Sequence, residues 1–214
     1  MIIQTQVGPQ SSADGTYASL RGGKQGEGIV SELSPRLYEQ AYRGNVFLAA
    51  NQTGVTTQAG LSATTPALTL FNPKGNGKNL VLLFAGCVET VANAAASIVW
   101  LGININTAAA AVTGTAVTNS SAAAIVTSAL LGNNSLPSAS VFTAATLPAA
   151  PVAVATLGTM YTGAITTIPY QATLGRWFDG SIIVTPGAAV SFQTSTASGA
   201  SGFFGEFIWQ EVAV

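Results

Sequence analysis

The residues that could support chemistry are few in this chain, and the most useful type is missing. The sequence contains no histidine and a single cysteine, Cys87. A Ser-His-Asp or Cys-His arrangement therefore cannot be built, and a zinc site of the His and Cys type is excluded as well. Cys87 stands inside an apolar run with no histidine to activate it, so we expect a buried structural thiol rather than a nucleophile.

Paired carboxylates are the remaining route to acid–base catalysis. Glu206 and Glu211 are five residues apart on one predicted strand, so they should point to opposite faces and cannot form a dyad by themselves. A pair of Glu89 with Glu206 stays open. The aspartates, Asp14 and Asp179, do not form a calcium-binding loop. We expect no catalytic, cofactor or metal site, and we expect that the protein is not an enzyme.

The basic and aromatic residues suggest at most one binding site. Seven Lys and Arg against eight Asp and Glu give no electrostatic footprint for nucleic acid. The default role of each of the three tryptophans is packing in a core or an interface. Trp177 lies beside Asp179 near a predicted loop, where an aromatic ring can stack on a sugar. Trp177 and Asp179 are therefore the candidate glycan contacts.

The shortage of charge is the most informative feature of the composition. Fifteen charged side chains make up 7% of the 214 residues, where an ordinary soluble domain carries about 25%. Eight of the fifteen lie in residues 1–43, and none lies between Val91 and Gly175. The longest strongly apolar run, Leu80 to Val88, is about half as long as a membrane-spanning helix, so we expect no membrane. Contacts with other copies would hide the apolar surface, and we predict a homo-oligomer. A β-domain with a Ser- and Thr-rich surface is the alternative for residues 91–175.

The C-terminal stretch from Trp177 to Val214 predicts strand, tight turn, strand, loop and strand. Val190 and Phe192 alternate with polar residues, which is typical of a half-buried strand. Pro186-Gly187 separates two β-rich runs, and these residue types favour a tight turn. In the last strand, Phe203, Phe207 and Trp209 should share one face.

Further candidate strands, separated by turn signals, begin at Asn45. They are Asn45–Ala50, Val55–Ala59, Ala67–Asn72, Asn79–Val91, Ala96–Asn106, Ala111–Thr118, Ala139–Ala145, Val152–Met160 and Ile165–Tyr170. With no long helix, this pattern predicts an all-β, antiparallel jelly-roll sandwich of about 8–10 strands over residues 45–214. Two of these strands, Asn79–Val91 and Ala96–Asn106, have apolar residues pointing to both faces. We therefore expect them to be central strands that are covered on both faces.

Residues 1–44 precede this domain and differ from it in character. Residues 1–33 are polar and glycine-rich, which predicts an extended N-terminal arm. One short helix is predicted at about 35–43, with Ser34 as the cap, Pro35 at the first helical position and Gly44 at the left-handed end. The helix could cap an open end of the sandwich or act with the arm as a docking element. The assembly candidates are Arg21, Lys24, Arg36, Leu37, Tyr38, Tyr42 and Arg43.

Several short motifs resemble those of a loose group of tailed-phage virion proteins. The motifs are Leu37–Glu39, Arg43–Phe47, Ala67–Pro73, Asn79–Leu83, Gly180–Ala189 and Trp209–Val212. The resemblance implies a single jelly roll of the tumour-necrosis-factor-like kind, usually trimeric, on a capsid as a decoration protein or head fibre, or on a tail. It implies as partners further copies of the chain and other capsid or tail proteins of the same virion. It carries over no functional residue.

These observations lead to one expected function and one alternative. We expect a structural component of a bacteriophage virion, an oligomeric capsid decoration or minor capsid protein docked through its arm. The N-terminus lacks the basic and apolar regions of a signal peptide, so we expect synthesis in the host cytoplasm and localisation in the virion. The alternative is a tail or fibre module that binds cell-surface carbohydrate.

Overall fold

A computed structural model gives the fold and describes residues 5–6, 20–21, 36–91, 95–105, 112–117, 126–133, 135–160 and 174–214. The chain divides into two compact units, residues 1–39 and 40–214. In the first unit, strand β1 (Thr5–Gln6) pairs in parallel with β2 (Leu20–Arg21). The short helix α1 spans Tyr38–Tyr42.

The second unit is built from two sheets. Its strands are β3 (Val46–Ala50), β4 (Leu68–Phe71), β5 (Lys78–Glu89), β6 (Ser97–Asn104), β7 (Thr113–Val117), β8 (Val126–Ser128), β9 (Ser140–Thr146), β10 (Val152–Met160), β11 (Leu174–Val184), β12 (Ala189–Thr194) and β13 (Phe203–Ala213). The six-stranded sheet has the order β10-β6-β12-β4-β9-β7, and the five-stranded sheet has the order β11-β5-β13-β3-β8. All neighbours in both sheets are antiparallel. The predicted all-β class with antiparallel sheets and one short helix is confirmed.

Most predicted strands are present, with ends displaced by one or two residues, and two differences have clear causes. Val55–Ala59 is wrong as a strand, because it forms only isolated bridges to Phe203 and Thr194. Strand β8 was not predicted, since its three residues are too few for an alternating pattern. The predicted strand Ile165–Tyr170 lies outside the described residues.

The helix is shorter than predicted, but its end has the expected chemistry. Gly44 adopts a φ of 73°, the left-handed conformation that glycine accepts without strain. The Gly44 N–H donates to the Ala41 carbonyl and the Asn45 N–H donates to the Gln40 carbonyl, both at 3.0 Å. These two bonds form a Schellman motif, which ends the helix just before β3 begins.

The core lies between the sheets and depends on aromatic packing across them. Phe192 of β12 contacts Phe203 and Phe207 of β13, with ring centroids 5.7 Å and 4.7 Å apart. Phe203, Phe207 and Trp209 are all fully buried, so their predicted common face is confirmed. Trp209 also stacks on Phe47 of β3, at 6.0 Å.

Strand β12 is buried on both faces, so its half-buried prediction is wrong. The Gln193 side chain donates to the Ser191 hydroxyl at 2.9 Å and accepts from the Ser62 N–H at 3.0 Å. The Thr194 hydroxyl donates to the Gln58 carbonyl at 3.1 Å. The backbone of the chain segment 57–62 therefore supplies partners for the polar groups of Gln193 and Thr194, which keeps these buried groups satisfied.

Replacing the central ring of the core tests the packing between the sheets. We expect Phe192→Ala to lower the free energy of unfolding by about 3–5 kcal/mol, because it removes a fully buried ring and leaves a cavity. Urea denaturation followed by circular dichroism measures this. Val212→Ala, at the exposed end of β13, is the control and should change stability by less than about 0.5 kcal/mol. Equal effects of the two substitutions would contradict the packing described.

Candidate functional site

The structure separates the carboxylates instead of bringing them together. Glu206 is exposed and Glu211 is buried, as expected for residues of opposite parity on one strand. On the paired strands β5 and β13, Glu89 lies opposite Phe203 and Glu206 lies opposite Gly86. Because these positions are three residues apart in register, the two carboxylates belong to opposite faces of the sheet. The pair of Glu89 with Glu206, left open by the sequence, therefore does not form a dyad.

Glu211 has its hydrogen-bonding capacity filled by the protein. Its carboxylate accepts from Lys78 Nζ at 2.9 Å, from the Ser138 hydroxyl and N–H at 2.5 and 2.8 Å, and from the Ala139 N–H at 3.1 Å. Burial alone would raise the pKa of this carboxyl, but the hydrogen bonds from Lys78, Ser138 and Ala139 together hold its pKa below the ordinary value. Glu211 thus fastens residues 138–139 to the end of β13.

Cys87 is a structural residue, as its surroundings in the sequence predicted. It is 2% exposed within the core between the sheets. Burial raises the pKa of its thiol to about 12, with a further contribution from the negative charges of Glu89 and Glu206. Since the thiolate is the reactive form, this thiol is inert near neutral pH.

The glycan candidates Trp177 and Asp179 are both exposed on the edge strand β11. Trp177 is 57% exposed and packs against Phe84, with ring centroids 5.0 Å apart and a tilt of 51°. Between Trp177 and Ile182 the strand departs from its register with β5. Asp179 lies in this irregular stretch with a φ of 49°.

A row of apolar side chains crosses the outer face of the five-stranded sheet next to Trp177. The strand register places Trp177 opposite Phe84, Phe84 opposite Ile208, and Ile208 opposite Leu48. Directly opposed residues of antiparallel strands point to the same face and lie within contact distance. Phe84, Ile208 and Leu48 are half-buried, so the row is continuous and partly open to solvent.

A second row begins at Ile183, which is 55% exposed. Ile183 lies opposite Val81, and Val81 lies opposite Gln210. We name the apolar residues of the two rows the apolar sheet face, which consists of Leu48, Val81, Phe84, Trp177, Ile183 and Ile208. The prediction that β5 is covered on both faces is therefore wrong for its outer face, although β5 is central as expected.

The Phe84 ring lies over Gly86 and Gly175, where any side chain would collide with it. An ideal Cβ on Gly86 would lie 2.7 Å from Cε1 of Phe84, and one on Gly175 would lie 2.7 Å from Cζ of the same ring. Gly175, Gly86 and Glu206 form a further cross-strand row. Glu206 is the one charged residue in these three rows. Sequence reasoning missed this face because the apolar residues of β5 indicated a covering layer, and only the strand register reveals the combined surface.

The assembly candidates fall in the helix region and in the N-terminal unit. Arg21 belongs to β2, and Lys24 lies outside the described residues. Leu37 is half-buried, while Arg36 and Arg43 are exposed. Tyr38 and Tyr42 are 53% and 56% exposed, and helix α1 contains no buried residue. The two tyrosines of the helix are therefore largely exposed to solvent.

Two further classes of site are absent from the described part of the chain. No group of three or more metal-ligating side chains is present there. No helix in that part is long and apolar enough to cross a membrane.

The environment of Glu211 predicts a pH-dependent stability. Because the pKa of Glu211 is lower in the folded state, its contribution is fully present above the unfolded-state pKa and is lost as pH falls through the folded-state value. We expect Glu211→Gln to lower the free energy of unfolding by about 3 kcal/mol at pH 7 and to reduce the loss of stability on acidification. Urea denaturation between pH 7 and pH 3, at one protein concentration, measures both effects.

The exposed Glu206 provides the matched control. Glu206→Gln should change stability at pH 7 by less than about 0.5 kcal/mol. A Glu211→Gln variant as stable as the wild type at pH 7 would contradict the structural role assigned to this carboxylate.

Comparison with known proteins identifies no relative of this chain. No family model matches it. No curated protein and no solved structure matches it either.

Proposed function

We propose that this chain is a structural subunit of a bacteriophage virion, an oligomeric, trimer-forming capsid decoration or minor capsid protein. The observation that carries the proposal is the exposure of large apolar side chains on a chain with so few charges. Among the described residues, thirteen large apolar side chains are exposed, while the whole chain has fifteen charged ones. Permanent contacts within a particle would remove such apolar surface from water.

The strand order supports the jelly-roll interpretation. When β7, β8 and β9 are set aside, eight strands of the second unit remain. Their pairs are nested along the chain: β3 pairs with β13, β4 with β12, β5 with β11, and β6 with β10. A long antiparallel hairpin rolled up on itself gives these pairs, and it contains the two Greek keys of a jelly roll. The motif resemblance supplies the virion context, and the proposal assigns no catalytic reaction to the chain.

The arm and helix are proposed as the docking element, with other capsid or tail proteins as partners. Tyr38 and Tyr42 are exposed aromatic side chains, and aromatic residues are enriched in protein interfaces. Arg36 and Arg43 are exposed next to them in the sequence. A segment of this kind can be soluble before assembly and specific once it is bound.

Removal of the arm tests the docking proposal. We expect deletion of residues 1–33 to leave a folded oligomer that no longer binds virions lacking the protein, because the deleted segment supplies the contacts with the particle. Co-sedimentation with such particles measures binding, and light scattering measures the oligomer. The full-length chain is the control, and electron microscopy of the decorated particles places it in density. A truncated protein that still decorates particles would show that the arm is not the anchor.

A carbohydrate-binding tail or fibre module is the second candidate, and the exposure of Trp177 favours it. The indole is held by Phe84 on one side and open on the other, with the exposed Asp179 two residues away. An aromatic surface with a few polar groups is a common design for a ligand site.

A glycan array tests this second candidate directly. The carbohydrate-binding function predicts a binding signal for the wild-type protein and its loss in Trp177→Ala, because the stacking surface is removed. Tyr42→Ala removes an aromatic side chain of similar exposure from the helix and should leave glycan binding unchanged. Absence of any signal with the wild-type protein would eliminate the carbohydrate-binding function.

A further inference from the structure

We propose that the apolar sheet face is the surface through which copies of this chain associate, an inference that rests on the proposed assembly function. The occupant is a second copy of the chain. The inference locates the self-association on one side of the sandwich and names the side chains responsible.

The two sheets differ in how their outer faces are covered. On the six-stranded sheet, Ser191 and Gln193 are buried, and the Ser62 N–H donates to the Gln193 side chain. On the five-stranded sheet, Trp177 and Ile183 are more than half exposed. Removal of apolar surface from water contributes roughly 25 cal/mol per Å², so the exposed apolar side chains gain most from a cover. Since the chain covers polar positions and leaves these apolar ones open, we infer that another molecule supplies their cover.

The composition of the face is that of an interface core with a polar rim. Two aromatic rings, Phe84 and Trp177, lie beside the aliphatic residues Ile183 and Ile208, and the only charge in the three rows is on Glu206. Depletion of charge and enrichment in aromatic residues distinguish the centre of an interface from the remaining surface. A flat arrangement of this kind suits the face of another sheet, because sheets pack about 10 Å apart with interleaved side chains.

The outer side of the whole five-stranded sheet, of which the apolar sheet face is a part, has the dimensions that a stable association needs. Strands β5, β11 and β13 contain 12, 11 and 11 residues, and β3 and β8 contain 5 and 3. At about 4.8 Å between strands and about 3.3 Å per residue, the outer face covers on the order of 700 Å². A standard protein interface buries about 800 Å² per partner. A second copy of the chain is the occupant, because it is equally short of charged residues and has the same exposed apolar side chains to cover.

Charge insertion on this face, in the full-length protein, tests the inference. We expect Ile183→Lys to weaken self-association about 30-fold or more, the effect of losing an interface anchor, because a lysine there would be desolvated without a partner. Light scattering over a range of protein concentrations gives the oligomer mass and dissociation constant. Trp177→Glu is a second variant with the same expected effect, and circular dichroism with thermal unfolding shows whether each variant is folded.

Val152→Lys is the matched control. Val152 is also a β-branched residue on an edge strand, with 61% exposure against 55% for Ile183, but it belongs to the six-stranded sheet. It should leave the oligomer mass unchanged. The inference is supported if the wild type and Val152→Lys are oligomers while folded Ile183→Lys and Trp177→Glu dissociate.

The remaining outcomes distinguish the location of the interface from the proposed assembly function. If the wild type and both folded face variants are oligomers of equal stability, the location is overturned and the assembly function survives. If Val152→Lys dissociates as readily as the face variants, the location is also overturned. If the wild type is a monomer at micromolar concentration, both this inference and the proposed oligomeric subunit are overturned.

Discussion

Apolar surface has to be kept from water, and this requirement governs both the interior and the exterior of the protein. Inside, the aromatic residues Phe192, Phe203 and Phe207 meet between the sheets and leave one face of each sheet dry. Outside, a chain with 7% charged residues cannot surround itself with ions in the usual way. Each outer face must therefore be polar, be covered by the chain itself, or be covered by another molecule.

Polar side chains inside the sandwich act mainly as connectors between strands and loops. The Asn72 amide donates to the Lys78 and Val184 carbonyls, both at 2.8 Å, and so joins the loop before β5 to the end of β11. Asn51 donates to the Phe203 carbonyl at 3.0 Å and accepts from the Gly205 N–H at 2.5 Å. These buried groups are satisfied within the protein, as is Glu211. They stabilise the sheets that carry the outer face. Because their donors and acceptors are already bonded within the protein, they are not available to bind a ligand.

The sequence predicted local structure well wherever one strand carried its own signal. The alternating aromatic residues of β13, the strand Val152–Met160 and the helix end at Gly44 all follow from patterns within a few residues. The failures concern contacts between distant segments. The burial of Gln193 depends on a loop 131 residues away, and β5 could not reveal that its outer residues face solvent. The candidate site suffered from the same limit: Trp177 was recognised, but Phe84, Ile208 and Leu48 become its neighbours only through the strand register.

Trp177 decides between the two functions, because one side chain cannot be sealed in a dry interface and also stack on a sugar. Full burial of its exposed half would contribute on the order of 3 kcal/mol, and a flat sheet partner would bury Ile183, Phe84 and Ile208 as well. A sugar ring that stacks on the indole covers one residue and leaves the rest of the apolar sheet face in water. Its hydrogen-bonding groups would also need several polar partners, and the described residues near the indole offer Asp179 on the same strand and Glu206 and Gln210 in the adjoining rows. The continuity of the apolar rows, rather than the tryptophan alone, therefore favours self-association over glycan binding as the use of this face.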